Sequence, residues 1–253
     1  MRCNLYLRLA TALFLLAGPA RSWTPATQVT IAREAARLSP PDLYRQIDKH
    51  HLAYEAGVNA PFAETDGSRH AKNPDGSGRL DRAALDAVDA AIQAIRGHQP
   101  FEEIVRRLGI VSHFVADANN PLAASAADPE EGRYFVDYLR YVESAEPRYP
   151  LVFYGVPSET RGVSSLLDAA LRRGRELYPM IGREYRRIGY GSGVGQFDDR
   201  STAFGVGSVA FSHAVTDVTL VLRYIWITAG GIDDRAHLPA GGTRLTVLPR
   251  TAR

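Results

Sequence analysis

FEEIVRRLGIVSHFVADANNPLAAS, residues 101–125, is the stretch on which the fold turns. Ile104, Leu108, Val111 and Val115 recur three and four positions apart, the spacing of one apolar helix face, and predict a helix over 101–118. His113 and Asp117 are also four apart, so both side chains leave one face, and that face is not the apolar stripe. Such a pair offers a metal one nitrogen and one oxygen; its ordinary alternative is a hydrogen-bonded His–Asp pair inside a helical bundle. Gly109, one turn before His113, leaves room for something to approach. Asn119, Asn120 and Pro121 then open a small-residue loop that is expected to form the mouth of a cavity.

The same helical spacing runs outward in both directions. Thr24-Pro25 is a start signal, a cap followed by proline in the first turn. Val29, Ala32, Ala35, Ala36 and Leu38 follow at helical intervals until Pro40-Pro41. Further helices are expected over 42–56, 81–95, 134–143, 158–187 (kinked near Pro179) and 202–229, the last mostly apolar and central. Residues 57–79 and 119–132 read as long loops, of the kind that is functional when it lies inside a compact domain. Residues 147–157 read as extended or irregular, and 243–248 as a small edge strand. No strand alternation, βαβ rhythm or solenoid repeat appears, so the expected fold class is all-α, a single bundle of six to eight helices.

Residues 1–22 are different. Arg2 and Arg8 flank the start of an apolar run over 9–17, Gly18-Pro19 breaks it, and Ala20-Arg21-Ser22 supplies small residues at the −3 and −1 positions of a cleavage site. This reads as a secretory signal peptide, with an apolar run too short to span a bilayer. The mature chain then begins at Trp23 and the protein is secreted or periplasmic, with no transmembrane anchor after cleavage. The domain expected over 23–231 is followed by a tail over 232–253. Cys3, the only cysteine, is lost with the leader, so an exported chain must rely on its core or on bound metal. The leader removes three of 30 basic residues and no acid, which leaves 27 against 28 acidic ones. That balance is no footprint for duplex nucleic acid.

Other histidines need partners before they carry chemistry. VSHFVAD is echoed by FSHAVTD, where His213 and Asp217 repeat the spacing on the last helix. The two pairs could face each other across the core, with the first functional and the second a polar layer, since only the first is followed at once by a loop. His70 lies in the first long loop, in RHAKNPDG. His50, His51, His98 and His237 read as surface residues.

Together Trp23, His70, the Asn73-Pro74-Asp75-Gly76 turn, Leu108-Gly109, His113, Asp117 and Asn120-Pro121-Leu122 give the chain its resemblance. It resembles the exported bacterial zinc-dependent phospholipases C and, more distantly, the zinc-dependent single-strand nucleases of the same helical fold. Order and spacing agree over about half of the mature chain, 23–141. In that family a mature amino-terminal Trp binds zinc through its amine and carbonyl, and the central helix carries L-G-x-x-x-H-x-x-G-D. The resemblance implies Trp23, His70, His113 and Asp117 as metal ligands.

The departures are as informative. Gln28 stands at the first-helix histidine, Phe62 at the loop aspartate, Ala123 at the histidine after the proline, and Arg133 and Asp137 at the later His and Glu. Ala116 replaces a glycine. Of the family's three zinc sites, one keeps only Asp137 with Arg133 beside it, where a cation is repelled. The terminal site keeps Trp23 and Asp117. The third keeps His70, His113 and Asp117, two nitrogens and one oxygen with a position left open. Glu64 or Asp66 could supply a substitute carboxylate. The implied cofactor is therefore zinc, one ion with two as the alternative, and not the full cluster of three.

A metal there lowers the pKa of bound water and polarises a phosphoryl oxygen. The resemblance implies phosphodiester hydrolysis, with a phosphoester or phospholipid head group as partner and peripheral contact with a membrane surface. Asp117 and Arg133 are the candidate catalytic residues, Asp117 as ligand to the reacting centre and Arg133 as a cation for a phosphate oxygen. The competing reading is a non-catalytic secreted protein that keeps the fold for binding or structure. A single-strand nuclease is the weaker third, because the mature net charge is near zero.

Overall fold

The computed structural model describes residues 22–124, 128–157, 162–232 and 246–248. The leader expected over 1–22 lies, apart from Ser22, outside the described residues, as does His237 in the tail.

The helices form where the apolar spacing places them. Helix α1 (Pro25–Arg37) starts at Thr24, whose side chain accepts a hydrogen bond from the Thr27 amide, and Pro25 stands in its first turn. Helices α2 (Pro41–Lys49) and α3 (His51–Asn59) replace the one helix expected over 42–56. His50 leaves helical geometry at φ −113°, ψ 32°, yet its carbonyl accepts from Tyr54 and the chain re-enters a helix at once. Two 3-10 turns, Ala60–Ala63 and Gly67–His70, give the first long loop local structure. Helix α4 (Leu80–Arg96) follows, then α5 (Phe101–Ala118), which matches its expected bounds.

The loop after α5 is more ordered than its composition suggests. Asn120 accepts from the Leu122 amide through its side chain and starts a single turn, α6 (Pro121–Ala124), all four residues of which are buried. Helix α7 (Phe135–Ala145) leads to the short strand β1 (Leu151–Phe153). Helix α8 (Val163–Arg187) runs on through Pro179, α9 (Gly193–Gln196) is one turn, and α10 (Thr202–Thr228) is capped by Ser201. Strand β2 (Thr246–Leu248) pairs antiparallel with β1, Val152 opposite Val247. The expected edge strand and the expected extended segment thus find each other, and among the described residues the fold is all-α apart from this ribbon.

Helix α10 is the centre of the bundle. It is long and apolar enough to cross a membrane, but 78% of its apolar window is buried inside the molecule, as befits a core helix. It packs against α1, α5 and α8. The carboxy-terminal half of α5 is enclosed throughout: Ser112, His113, Phe114, Val115, Ala116, Asp117 and Ala118 are all buried. A helix with no solvent face can carry polar side chains only if each finds a partner.

Candidate metal centre

Helices α3 and α5 cross in backbone contact. A Cβ on Gly57 would lie 1.9 Å from the Arg106 carbonyl oxygen, and one on Gly109 would lie 2.1 Å from that of Tyr54. The space left by Gly109 is therefore filled by α3, not by a ligand. This approach has a chemical consequence. It brings the Val58 carbonyl to 2.8 Å from His113 Nδ1, which must be protonated to donate there. The tautomer is set, and His113 Nε2 presents its lone pair to the interior.

His113 Nε2 is not alone. His70, at the end of its 3-10 turn, brings Nδ1 to 3.2 Å from it. Asp117 Oδ2 lies 2.8 Å from His70 Nδ1 and 3.2 Å from His113 Nε2. The three side chains are 1%, 0% and 0% exposed. Zinc bonded to nitrogen and oxygen at about 2.0–2.1 Å in a tetrahedron sets its ligands about 3.3 Å apart, so the triangle has close to the dimensions that the ion requires. With Nδ1 of His113 committed to Val58, its Nε2 meets Asp117 Oδ2 either through a second ring proton or through a cation held between them. Burial raises the Asp117 carboxyl, but His113 and then His70 beside it outweigh this and hold it below its ordinary range. For His70 burial lowers the imidazole, and the hydrogen bond and charge of Asp117 overcome it to give a net rise. His70, His113 and Asp117 are the group among the described residues able to hold a metal ion.

The other oxygen of Asp117 has a different environment. Oδ1 accepts from Gln28 Nε2 at 2.7 Å and from the Ser22 hydroxyl at 2.7 Å. Gln28 also donates to Ser22 Oγ at 3.1 Å. An amide that directs its N–H groups at the carboxylate closes that side to a second cation while Ser22 is present. Trp23 is buried, and its indole donates to the Ala116 carbonyl at 2.9 Å. Residues 22 and 23 thus lie directly against the cluster, and three contributors that sequence reasoning passed over, Val58, Ser22 and Gln28 as a donor, emerge only here. The sole signal for Val58 was its neighbour Gly57, one of two glycines that allow helices to touch.

Several expected partners are turned elsewhere. Arg133 pairs with Glu130 at 2.7 Å and stacks over Tyr190 at 3.7 Å; neither contact leads to the cluster. Asp137 accepts from the Tyr185 hydroxyl and the Gly193 amide, at 2.6 and 2.7 Å. Glu64 pairs with Arg69, and Asp66 caps the turn that carries His70 while pairing with Arg79. The charge of Glu64 nevertheless acts on His70. Ala123 uses its carbonyl, which accepts from Lys72 and ties the segment after His70 to α6. Among the described residues the turn that follows Asp117 is closed rather than open: α6 is buried against α8, where Ala124 meets Gly174. Phe62 covers the cluster instead, edge-on to the His113 ring at 4.8 Å.

The second His–Asp pair does not face the first. Asp217 accepts from Asn119 and from Arg173, and His213 stacks flat on Tyr154, centroids 3.8 Å apart at 5°.

A helical bundle of this order has a counterpart among solved structures. The fold is that seen in a clostridial alpha-toxin. The crystal structure of the Clostridium perfringens alpha-toxin from an avian strain superposes with a TM-score of 0.59 at 12% identity, over 86% of this chain and 66% of the toxin. The chain therefore spans slightly less than two thirds of the alpha-toxin's length. No family model matches the chain, and no curated protein does. The likeness to the alpha-toxin is one of fold, and at that level the resemblance read from the sequence is met.

Proposed function

We propose that this protein is an exported, single-zinc phosphodiester hydrolase of the phospholipase C fold, with a phosphoester or phospholipid head group as substrate. The observation that carries the reading is the triangle of His70 Nδ1, His113 Nε2 and Asp117 Oδ2, with edges of 2.8, 3.2 and 3.2 Å. Zinc held there would supply an activated water and polarise a phosphoryl oxygen. Asp117 acts as ligand through Oδ2. His113 is oriented by the Val58 carbonyl, and His70 by its turn. Removal of residues 1–22 takes away the Ser22 hydroxyl, which donates to Asp117 Oδ1 and accepts from Gln28, and makes Trp23 the terminal residue. The cluster then gains an opening on the side that Ser22 occupies. Arg133, engaged by Glu130 and Tyr190, has no part in this reading. Contact with a membrane surface follows from the substrate class alone.

The test is zinc content and activity of the chain beginning at Trp23, purified without chelators. About one zinc per chain is expected, lost in a His113→Ala/Asp117→Ala double variant, together with hydrolysis of a chromogenic phosphocholine diester. A specific observation supports a second reading, in which the zinc is structural and the protein non-catalytic: Phe62 lies over ligands that are wholly buried. One zinc without hydrolysis, in the parent and in Phe62→Ala, selects that reading. No zinc at all removes both.

A further inference from the structure

A cleft of about 260 Å³ lies between α8, α10 and the segment after β1, and shares no lining residue with the His70, His113 and Asp117 cluster. Its walls change character along their length. One end holds His213, Asp217 and Arg173; farther along, Leu166, Leu220 and Ile227 make it apolar. From His213 to Ile227 the lining stretch of α10 is about 21 Å long at 1.5 Å per residue. The shape is a narrow slot, below the 300–1,000 Å³ usual for drug-sized ligands, and it suits a chain of roughly eight carbons.

The polar end is close to neutral in charge. Arg173 and Asp217 form an ion pair with each other, and Asn119 bonds both. Arg223, the other cation of the lining, is 7% exposed and already engaged within the protein. An anionic ligand would meet the Asp217 carboxylate, and a cationic one the Arg173 guanidinium. His213 is different. Burial, and then the charge of Arg173, lower its pKa to about 4, so its ring is uncharged at neutral pH. A neutral imidazole has one donor and one acceptor, and among the described residues neither has a hydrogen-bond partner. Stacking on Tyr154 holds the ring in place.

We propose that this cleft binds a single-chain amphiphile with an uncharged hydrogen-bonding head, an alcohol or ester, its head at His213 and its chain along Leu166, Leu220 and Ile227. The site stands independently of the metal centre and of the hydrolase reading.

Calorimetric titration of the full chain at pH 7.5 with 1-octanol, octanoate and octylammonium tests it, since these probes share a chain and differ in head charge. Saturable one-to-one binding of octanol is expected, at least tenfold tighter than either ion. Ala169→Trp fills the middle of the slot and should abolish it, and Leu166→Gln should weaken it tenfold and serves if the tryptophan variant misfolds. His213→Phe keeps a ring on Tyr154 but removes the hydrogen bonds, so it should narrow the preference for octanol. Absence of saturable octanol binding, equal affinity for an ionic probe, or binding unchanged when the slot is blocked would each overturn the proposal.

Discussion

Asp117 is the residue on which the centre depends, because its two oxygens face two kinds of partner. Oδ2 meets imidazole nitrogens and Oδ1 meets hydrogen-bond donors. Asp117→Asn keeps the shape but puts an amide among these groups; loss of zinc with the fold retained is expected, read by metal analysis beside circular dichroism. His213 and Asp217 make a prediction in pH. His213 is held down to about 4 from an ordinary 6.5, so its contribution to stability is whole above 6.5 and is lost as pH falls toward 4. Asp217 is pushed up to about 6 from 3.8 by burial, which outweighs Arg173 and Asn119, so its contribution is whole below 3.8 and is lost as pH rises through 6. The two oppose each other between about pH 4 and 6. His213→Asn removes one of them. Its stability relative to the parent should rise on going from pH 7 to 4.5, by about 1–2 kcal/mol after allowance for partial exposure. Urea titrations at both pH values would measure this, and a difference that stays constant would contradict it.

At the scale of elements, the contact of α3 with α5 is the feature that prepares the site. Gly57 and Gly109 let the backbones touch, and only that approach brings Val58 to His113. A methyl group at Gly109 meets backbone rather than a flexible side chain, so the helices must part. Gly109→Ala should cost about 2–4 kcal/mol and lower zinc affinity as well, because the His113 tautomer is no longer held. Denaturant unfolding and zinc titration of the one variant check both effects. An unchanged zinc affinity would mean that Val58 does not orient the ligand.

For the whole molecule, the ligands tie distant parts of the chain together. His70 comes from a loop turn, His113 and Asp117 from α5, and the supporting groups from α1, α3 and residue 22. An ion that binds only the folded chain stabilises it by about 4 kcal/mol at a thousandfold excess over Kd, on the order of 10 °C in Tm for a domain of this size. A chelator should lower Tm by that order, zinc should restore it, and the His113→Ala/Asp117→Ala variant should respond to neither.

Helical spacing alone determined that the chain is an all-α bundle, located α5 to its ends, and singled out His113 and Asp117, to which the family resemblance added His70. Those are properties of local periodicity and of residue type, which a linear chain carries openly. Tertiary structure decided the rest. Gly109 looked like room for a ligand and is room for a helix, because close approach depends on where α3 lies. The turn after Asp117 looked like an opening, and its described residues, 119–124, are packed in, because Gly174 on a distant helix admits Ala124. Arg133 sat at the spacing of a ligand and points to Glu130 and Tyr190, because spacing sets a position and not a direction. Gln28 stood out only as a missing histidine, and its role as a donor to Asp117 needed the two helices side by side. Contacts between residues far apart in sequence have no local signature, and the lone pairs of this centre converge through such contacts.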